Sequence, residues 1–252
     1  MESKGTTEET RQVKSRERVR DHGEVFTAER EVKAMCDLVK GETERIDSRF
    51  LEPACGDGNF LSEILSRKLA SVTRLYRRRL FDWEVKSLVA LGSLYGVDIL
   101  GDNAAACRER LFRQWDSEYV RIFKAKVSEN VRKSARFILD RNIVRGNALS
   151  MREVDDNARD TDVPIVFSQW TLLSAGTKMR REDFEFASLL AAAEESRSIV
   201  PDAVPIEETQ GPDQPDLFEA EENGGGLSPP SQHPDGHFLG SKLYPSRRVF
   251  DE

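Results

Sequence analysis

The sequence is poor in the residues that mark secreted, metal-binding or membrane-spanning proteins. Its three cysteines, Cys36, Cys55 and Cys107, lie far apart and form no Cys-x-x-Cys pair. That argues against a zinc site or a disulfide framework and for a reducing compartment. The three histidines, His22, His233 and His237, have no ligand partners at metal spacing, so no metal is assigned. No apolar run is long enough for a membrane span, and the polar amino terminus lacks a signal-peptide core; a cytoplasmic location is expected. Hydrophobic residues make up only 38% of the 252 positions, against 33% charged, so part of the length is expected to lie outside any core. Positive charge is outnumbered, with 38 Lys and Arg against 45 Asp and Glu. A formal net charge of -7 argues against a globally basic nucleic-acid binder, though it leaves room for a local basic face.

What is present is an alternation of apolar strands and amphipathic helices. Residues 1–21 read as a charged arm, with helical spacing over residues 9–20. Val32, Met35, Cys36, Leu38 and Val39 predict a helix over residues 29–40 with Thr27 as its N-cap. Residues 49–52 read as a first strand, 59–69 as a helix, and Trp83 to Leu91 as a helix leading into a second strand, 93–99. Helices are expected over 102–115 and 117–141, a third strand at 142–144, a fourth at 163–167, and a helix over 181–193. Strands alternating with helices predict a parallel α/β sheet with right-handed crossovers. From residue 194 the composition turns to Pro, Gly, Asp and Glu, predicting a disordered acidic tail over 194–252. The apolar residues Phe238, Leu239, Leu243, Tyr244 and Phe250 at its end are placed to dock back on the domain or on a partner.

The chemically informative segment is Phe50-Leu51-Glu52-Pro53-Ala54-Cys55-Gly56-Asp57-Gly58-Asn59-Phe60-Leu61. It reads as a buried strand, an acid at the strand end, a Gly-x-Gly turn and a helix start. Glycine lets bare backbone approach a small ligand, and the opening amides of a helix can face an anion. The alternative is a turn that merely packs helix on strand. One βα unit later, Tyr95-Gly96-Val97-Asp98-Ile99 ends a strand on an acid that can accept from a pair of hydroxyls, or can be an ordinary cap. Gly146-Asn147-Ala148-Leu149 follows the third strand.

These segments resemble motif I and its successors in class I S-adenosylmethionine-dependent methyltransferases. The wording around Glu52 is closest to adenine-specific DNA methyltransferases of restriction-modification systems. His22-Gly23-Glu24-Val25-Phe26-Thr27-Ala28 resembles the same family's amino-terminal motif, with Ala28 replacing the usual proline. The resemblance runs from Gly23 to Trp170 within a domain spanning residues 22–193. It implies a Rossmann-like sheet with helices on both faces and S-adenosylmethionine as cofactor. Phe26, Thr27, Glu52, Ala54, Cys55, Gly56 and Gly58 would surround the methionine portion, with Glu52 on its ammonium. Asp98 would hold the ribose, Ile99 the adenine face, and Asn147 with Ala148 the adenine edge; Asn147 stands where the family usually has aspartate.

The family's amine-methylating members carry an Asp/Asn/Ser-Pro-Pro-aromatic motif after the fourth strand. Here the corresponding place reads Val163-Pro164-Ile165-Val166-Phe167-Ser168-Gln169-Trp170, and the lone Pro229-Pro230 pair lies in the tail. Ser168 and Trp170 are the candidate catalytic residues, the alternative being a strand end with a packed tryptophan. The resemblance implies DNA as the acceptor, with a recognition or nuclease subunit as partner. A non-catalytic cofactor-binding subunit, or a methyltransferase of RNA, protein or a small molecule, remains open from the residues. The Arg74–Arg79 cluster with Tyr76, Phe81 and Trp83 reads either as a phosphate-contacting surface or as a solvated helix face. Gln214-Pro215-Asp216-Leu217-Phe218 resembles the short peptide by which bacterial replication proteins bind the sliding clamp.

Overall fold

The computed structural model describes residues 27–173, 176–188 and 238–249. The arm, Phe26, and the acidic stretch holding Gln214–Phe218 lie outside the described residues. The chain is mixed α/β. Three parallel strands, β1 (Phe50–Glu52), β2 (Leu94–Asp98) and β3 (Ile143–Arg145), form one sheet in the order β1-β2-β3. Each crossover uses two helices: α3 (Asn59–Tyr76) and α4 (Leu80–Gly92) join β1 to β2, and α5 (Gly101–Phe123) and α6 (Glu129–Asn142) join β2 to β3. Among the described residues two helices precede the sheet, α1 (Glu29–Leu38) and α2 (Lys40–Glu44). Among the described residues no helix is long and apolar enough to cross a membrane.

Every residue of β2 is buried, as a central parallel strand covered on both faces requires. The larger core cluster lies among α3, α4, α5 and α6, where Trp83 stacks on Tyr119 with ring centroids 5.1 Å apart and Trp115 tilts against both. A smaller cluster of Tyr95, Val97, Ile165, Phe167 and Phe186 joins the parallel sheet to the strands that follow. Those strands are antiparallel: β4 (Arg152–Val154) with β5 (Asp160–Pro164), then β6 (Val166–Leu172), β7 (Lys178–Glu185) and β8 (Phe238–Pro245) as a separate sheet.

Several elements differ from their sequence expectations. Thr27 is exposed and precedes the N-cap of α1, which is Ala28 in extended backbone with no side-chain cap. The helix expected over 117–141 is two: α5 runs unbroken through Trp115 to Phe123, Lys124 turns to φ 52, and α6 begins at Glu129. The fourth strand is not parallel, since Val163 and Pro164 end β5 and Val166 opens β6. The helix expected over 181–193 is strand as far as Glu185. Its helix-forming residues are overridden by pairing on both sides, with Arg181 opposite Trp170 in β6 and opposite Lys242 in β8. Buried Arg181 is paired there with Asp183 at 3.0 Å.

The end of the acidic tail docks on the domain. Tyr244 is buried beside Trp170, and the guanidinium of Arg247 meets the carboxylate of fully buried Glu84 at 2.5 Å. Tyr119 donates its hydroxyl hydrogen to that same carboxylate and accepts from the Ser128 amide at 2.9 Å. Ser134 completes the anchor, donating to the Arg247 carbonyl and accepting from the Val249 amide.

Candidate functional site at the carboxyl edge of the parallel sheet

The turn after β1 is built from two left-handed glycines, Gly56 at φ 53 and Gly58 at φ 89. Gly58 is also the N-cap of α3, and a Cβ on it would lie 2.7 Å from the sulfur of Cys107 in α5. Only glycine satisfies both the backbone and the space. The turn is tied inward by the Cys55 amide to the Val97 carbonyl at 2.9 Å and by the Gly58 amide to the Cys55 carbonyl at 2.9 Å. On its outer side Arg110 of α5 donates to Asp57 at 3.0 Å and to Asn59 at 2.6 Å.

Asp98, at the end of β2, is the hub. One carboxylate oxygen accepts from the Gly56 amide at 2.8 Å; the other accepts from the Leu100 amide at 2.8 Å and from Asn103 at 3.3 Å. Its own carbonyl accepts from the Gly146 amide at 2.9 Å. A single residue thus joins the loops after β1, β2 and β3. A carboxylate has about four acceptor sites, so one direction on the oxygen facing Gly56 remains for a ligand hydroxyl.

Glu52 ends β1 half-buried, and desolvation holds its carboxyl above the usual carboxylate range, with the Ala54 amide opposing the shift less strongly. A buried anion in that state is stabilised by a cation. Ala54 is exposed above it, and Cys55 is buried, its thiol pushed up by the neighbouring Cys107 thiol and by burial. The first turn of α3 has no side-chain cap, and its first amide turned back into the helix is Ser62 to Gly58. The amides before it face the turn and can take a carboxylate.

On the far side, Asn147 is held in a local turn. Its side-chain oxygen accepts from the Leu149 amide at 3.0 Å, its amino group donates to Asp160 at 2.9 Å, and its backbone amide donates to the Arg152 carbonyl. Ala148 packs against the smaller core cluster. Ile99 is half-buried, and its carbonyl receives the Nε of Arg145 at 3.4 Å. Arg145 lies across Gly101 at the start of α5 and is held by Asp156 at 3.0 Å.

Glu52, Ala54, Cys55, Gly56, Gly58, Asp98, Ile99, Asn147 and Ala148 therefore share one edge of the sheet. Thr27 is exposed at the entrance to α1, and Phe26 lies outside the described residues. Ser168 and Trp170 do not join the group. Ser168 is buried on β6, donating to Asp183 at 2.6 Å and accepting from the Tyr95 hydroxyl through its carbonyl. Burial pushes that Tyr95 hydroxyl up to about 12. Trp170 packs at the opposite end of β2, where a Cβ on Gly92 would lie 2.7 Å from its ring, and it faces Phe137 edge-on. Asn103, Arg110 and Arg145 were not singled out in the sequence. Arg110 and Arg145 act on partners brought near only by folding, whereas Asn103 reaches Asp98 from five positions along the chain, a local contact that its spacing could have marked.

Comparison with family models, with curated proteins and with solved structures finds no match.

Proposed function

We propose that this chain binds S-adenosylmethionine at the carboxyl edge of β1–β3, in a Rossmann-like domain, and acts in the cytoplasm as an adenine-specific DNA methyltransferase of restriction-modification type with a recognition or nuclease subunit. The observation that carries the reading is the union of the Gly56–Gly58 turn and Asp98 through the 2.8 Å Gly56–Asp98 bond. It fixes two ligand-facing loops on adjacent parallel strands, the placement expected for a nucleoside-bearing ligand.

The donor set fits the cofactor. Glu52 offers a desolvated carboxylate to an ammonium, the uncapped start of α3 offers amides to a carboxylate, and Asp98 offers its remaining acceptor direction to a ribose hydroxyl. Asn147 has a second lone pair on its amide oxygen for an adenine amino group. Bound there, the cofactor supplies an electrophilic methyl group on sulfur.

One observation favours a second reading, in which the chain is a non-catalytic subunit that keeps the cofactor. The adenine amine needs acceptors that free its lone pair, and an aromatic face for the extruded base. Ser168 and Trp170 are already committed to Asp183, Asn142, Gly92 and Phe137. Incubating the full chain with labelled cofactor and unmethylated bacterial DNA, with and without neighbouring operon products, separates the readings. Label in DNA supports the enzyme. Cofactor binding without transfer supports the subunit, and no cofactor binding overturns both.

A further inference from the structure

A recess lies away from the glycine turn. A cleft of about 1040 Å³ opens between the loop before β1, the α3–α4 turn and β6. Its wall includes Leu75 at 51% exposure and Phe81 at 39%, with Val85 and Val89 behind them. Three carboxylates in the wall are matched by cations: Glu44 by Lys40 at 3.7 Å, Asp47 by Arg45 at 2.9 Å, and Asp82 by Arg79 at 3.1 Å. Arg74 and Lys86, in the same wall, have no acidic partner among the described residues, nor have Arg77 and Arg78 on the turn beside it. In a chain of net charge -7, an apolar recess bordered by unmatched cations is complementary to an apolar peptide flanked by acids.

The chain contains such a peptide. Between Arg197 and Lys242 there is neither lysine nor arginine, and Phe218 is the only Phe, Tyr or Trp from position 189 to 237. Leu217 and Phe218 are flanked by Asp213, Asp216, Glu219, Glu221 and Glu222. Residues 1–26 are a poorer match, because their six cations balance their six acids. We propose that residues 213–222 dock intramolecularly in this cleft, with Leu217 and Phe218 against Leu75, Phe81 and Val89 and the acids against Arg74, Lys86, Arg77 and Arg78.

The tether permits it. The undescribed stretch begins three residues beyond β7 and ends where β8 starts, at the end of the β6-β7-β8 sheet where Phe184 pairs with Phe238. The cleft meets the opposite end of β7 at Gly176. β7 is 8 residues long and spans about 27 Å. The 21 positions from Leu217 to Phe238 have a contour length of roughly 70 Å, well beyond that span. The segment can therefore reach the cleft of its own chain, and its docking would be an intramolecular event. Nucleic acid also answers to cations, but the apolar wall at Leu75, Phe81, Val85 and Val89 gives a phosphate backbone nothing to bind.

Cysteine cross-linking in the full-length chain tests the docking, because the three native thiols are buried. With Leu75→Cys and Leu217→Cys together, disulfide formation under a mild oxidant is expected to run about tenfold faster than for Leu75→Cys with Leu227→Cys, at a rate independent of protein concentration. Arg74→Glu with Lys86→Glu should slow it to the control rate. In the otherwise native chain, Phe218→Ala should speed amide exchange in the first two turns of α4. Equal rates for the two cysteine pairs overturn the proposal, as does a rate that scales with concentration, which would place a second copy's segment in the cleft. A short DNA duplex that binds native protein but not the charge-reversed variant, with equal cross-linking rates, assigns the cleft to nucleic acid and overturns it too.

Discussion

At the residue scale the site depends on small numbers of contacts with little tolerance. Gly58→Ala adds a Cβ at φ 89 against the Cys107 sulfur, so thermal denaturation should show a loss of about 2 kcal/mol. Adding Cys107→Ala should recover only part of it, because the steric conflict is relieved and the backbone strain is not. Glu52 gives a pH-dependent prediction. Its folded carboxyl titrates above the ordinary value, so between the two values the folded chain holds a proton the unfolded chain has lost. Its contribution to stability is complete below the ordinary value and is lost as pH rises through the folded one. A bound ammonium favours the ionised carboxylate and reverses the shift. Calorimetric affinity for S-adenosylmethionine should therefore fall as pH drops below the folded value, by up to about tenfold per unit. Glu52→Gln should bind more weakly at neutral pH and lose that dependence.

At the scale of elements, the positioning of β1 rests on a buried lysine. Lys68 of α3 donates to the carbonyls of Arg45, Ile46 and Ser48 and to the Ser93 hydroxyl, gathering the loop that feeds β1. Burial pulls its ammonium down to about 7, against the smaller opposing pull of Asp47 and Glu42. Lys68→Met removes the donor from three carbonyls and should cost roughly 3 kcal/mol in denaturant titrations. From about 7 up to the ordinary lysine range the unfolded chain binds the extra proton, so native stability gains on the variant as pH rises through that window. A gap that narrows instead would contradict the assignment. The βα units around Glu52 and Asp98 were legible in sequence because strand, acid, glycine and helix start are contiguous. The antiparallel strands were not. Met179 and Tyr244 face each other across β7 and β8 although 65 positions separate them, and Arg180, Arg181 and Glu182 read as a helix surface until neutralised within the sheet.

At the scale of the whole molecule, β8 and the residues that follow it are structural. Arg247 neutralises Glu84 in the aromatic core of α4 and α5, and Glu84's carboxyl is raised by burial against the opposing Tyr119 and Arg247 contacts. Arg247→Ala leaves that carboxylate buried with Tyr119 alone. It should cost about 2 kcal/mol, less than the roughly 3–5 kcal/mol of a fully buried broken pair, because the guanidinium is partly exposed. Proteolysis should then cut between residues 238 and 249 sooner than in the native chain. Arg247→Lys should recover part of the loss.

The sequence by itself determined the glycine turn, the acids at the ends of β1 and β2, the alternation of strand and helix around them and the absence of a Pro-Pro motif within residues 163–170. All of these depend on neighbours a few positions apart, and so they follow from local sterics and periodicity. Only the tertiary structure decided that Asp98 joins three loops, that Ser168 and Trp170 are spent on packing, and that the chain's end returns to hold Glu84. Those outcomes depend on burial and on charge pairing between residues that meet only when the chain folds.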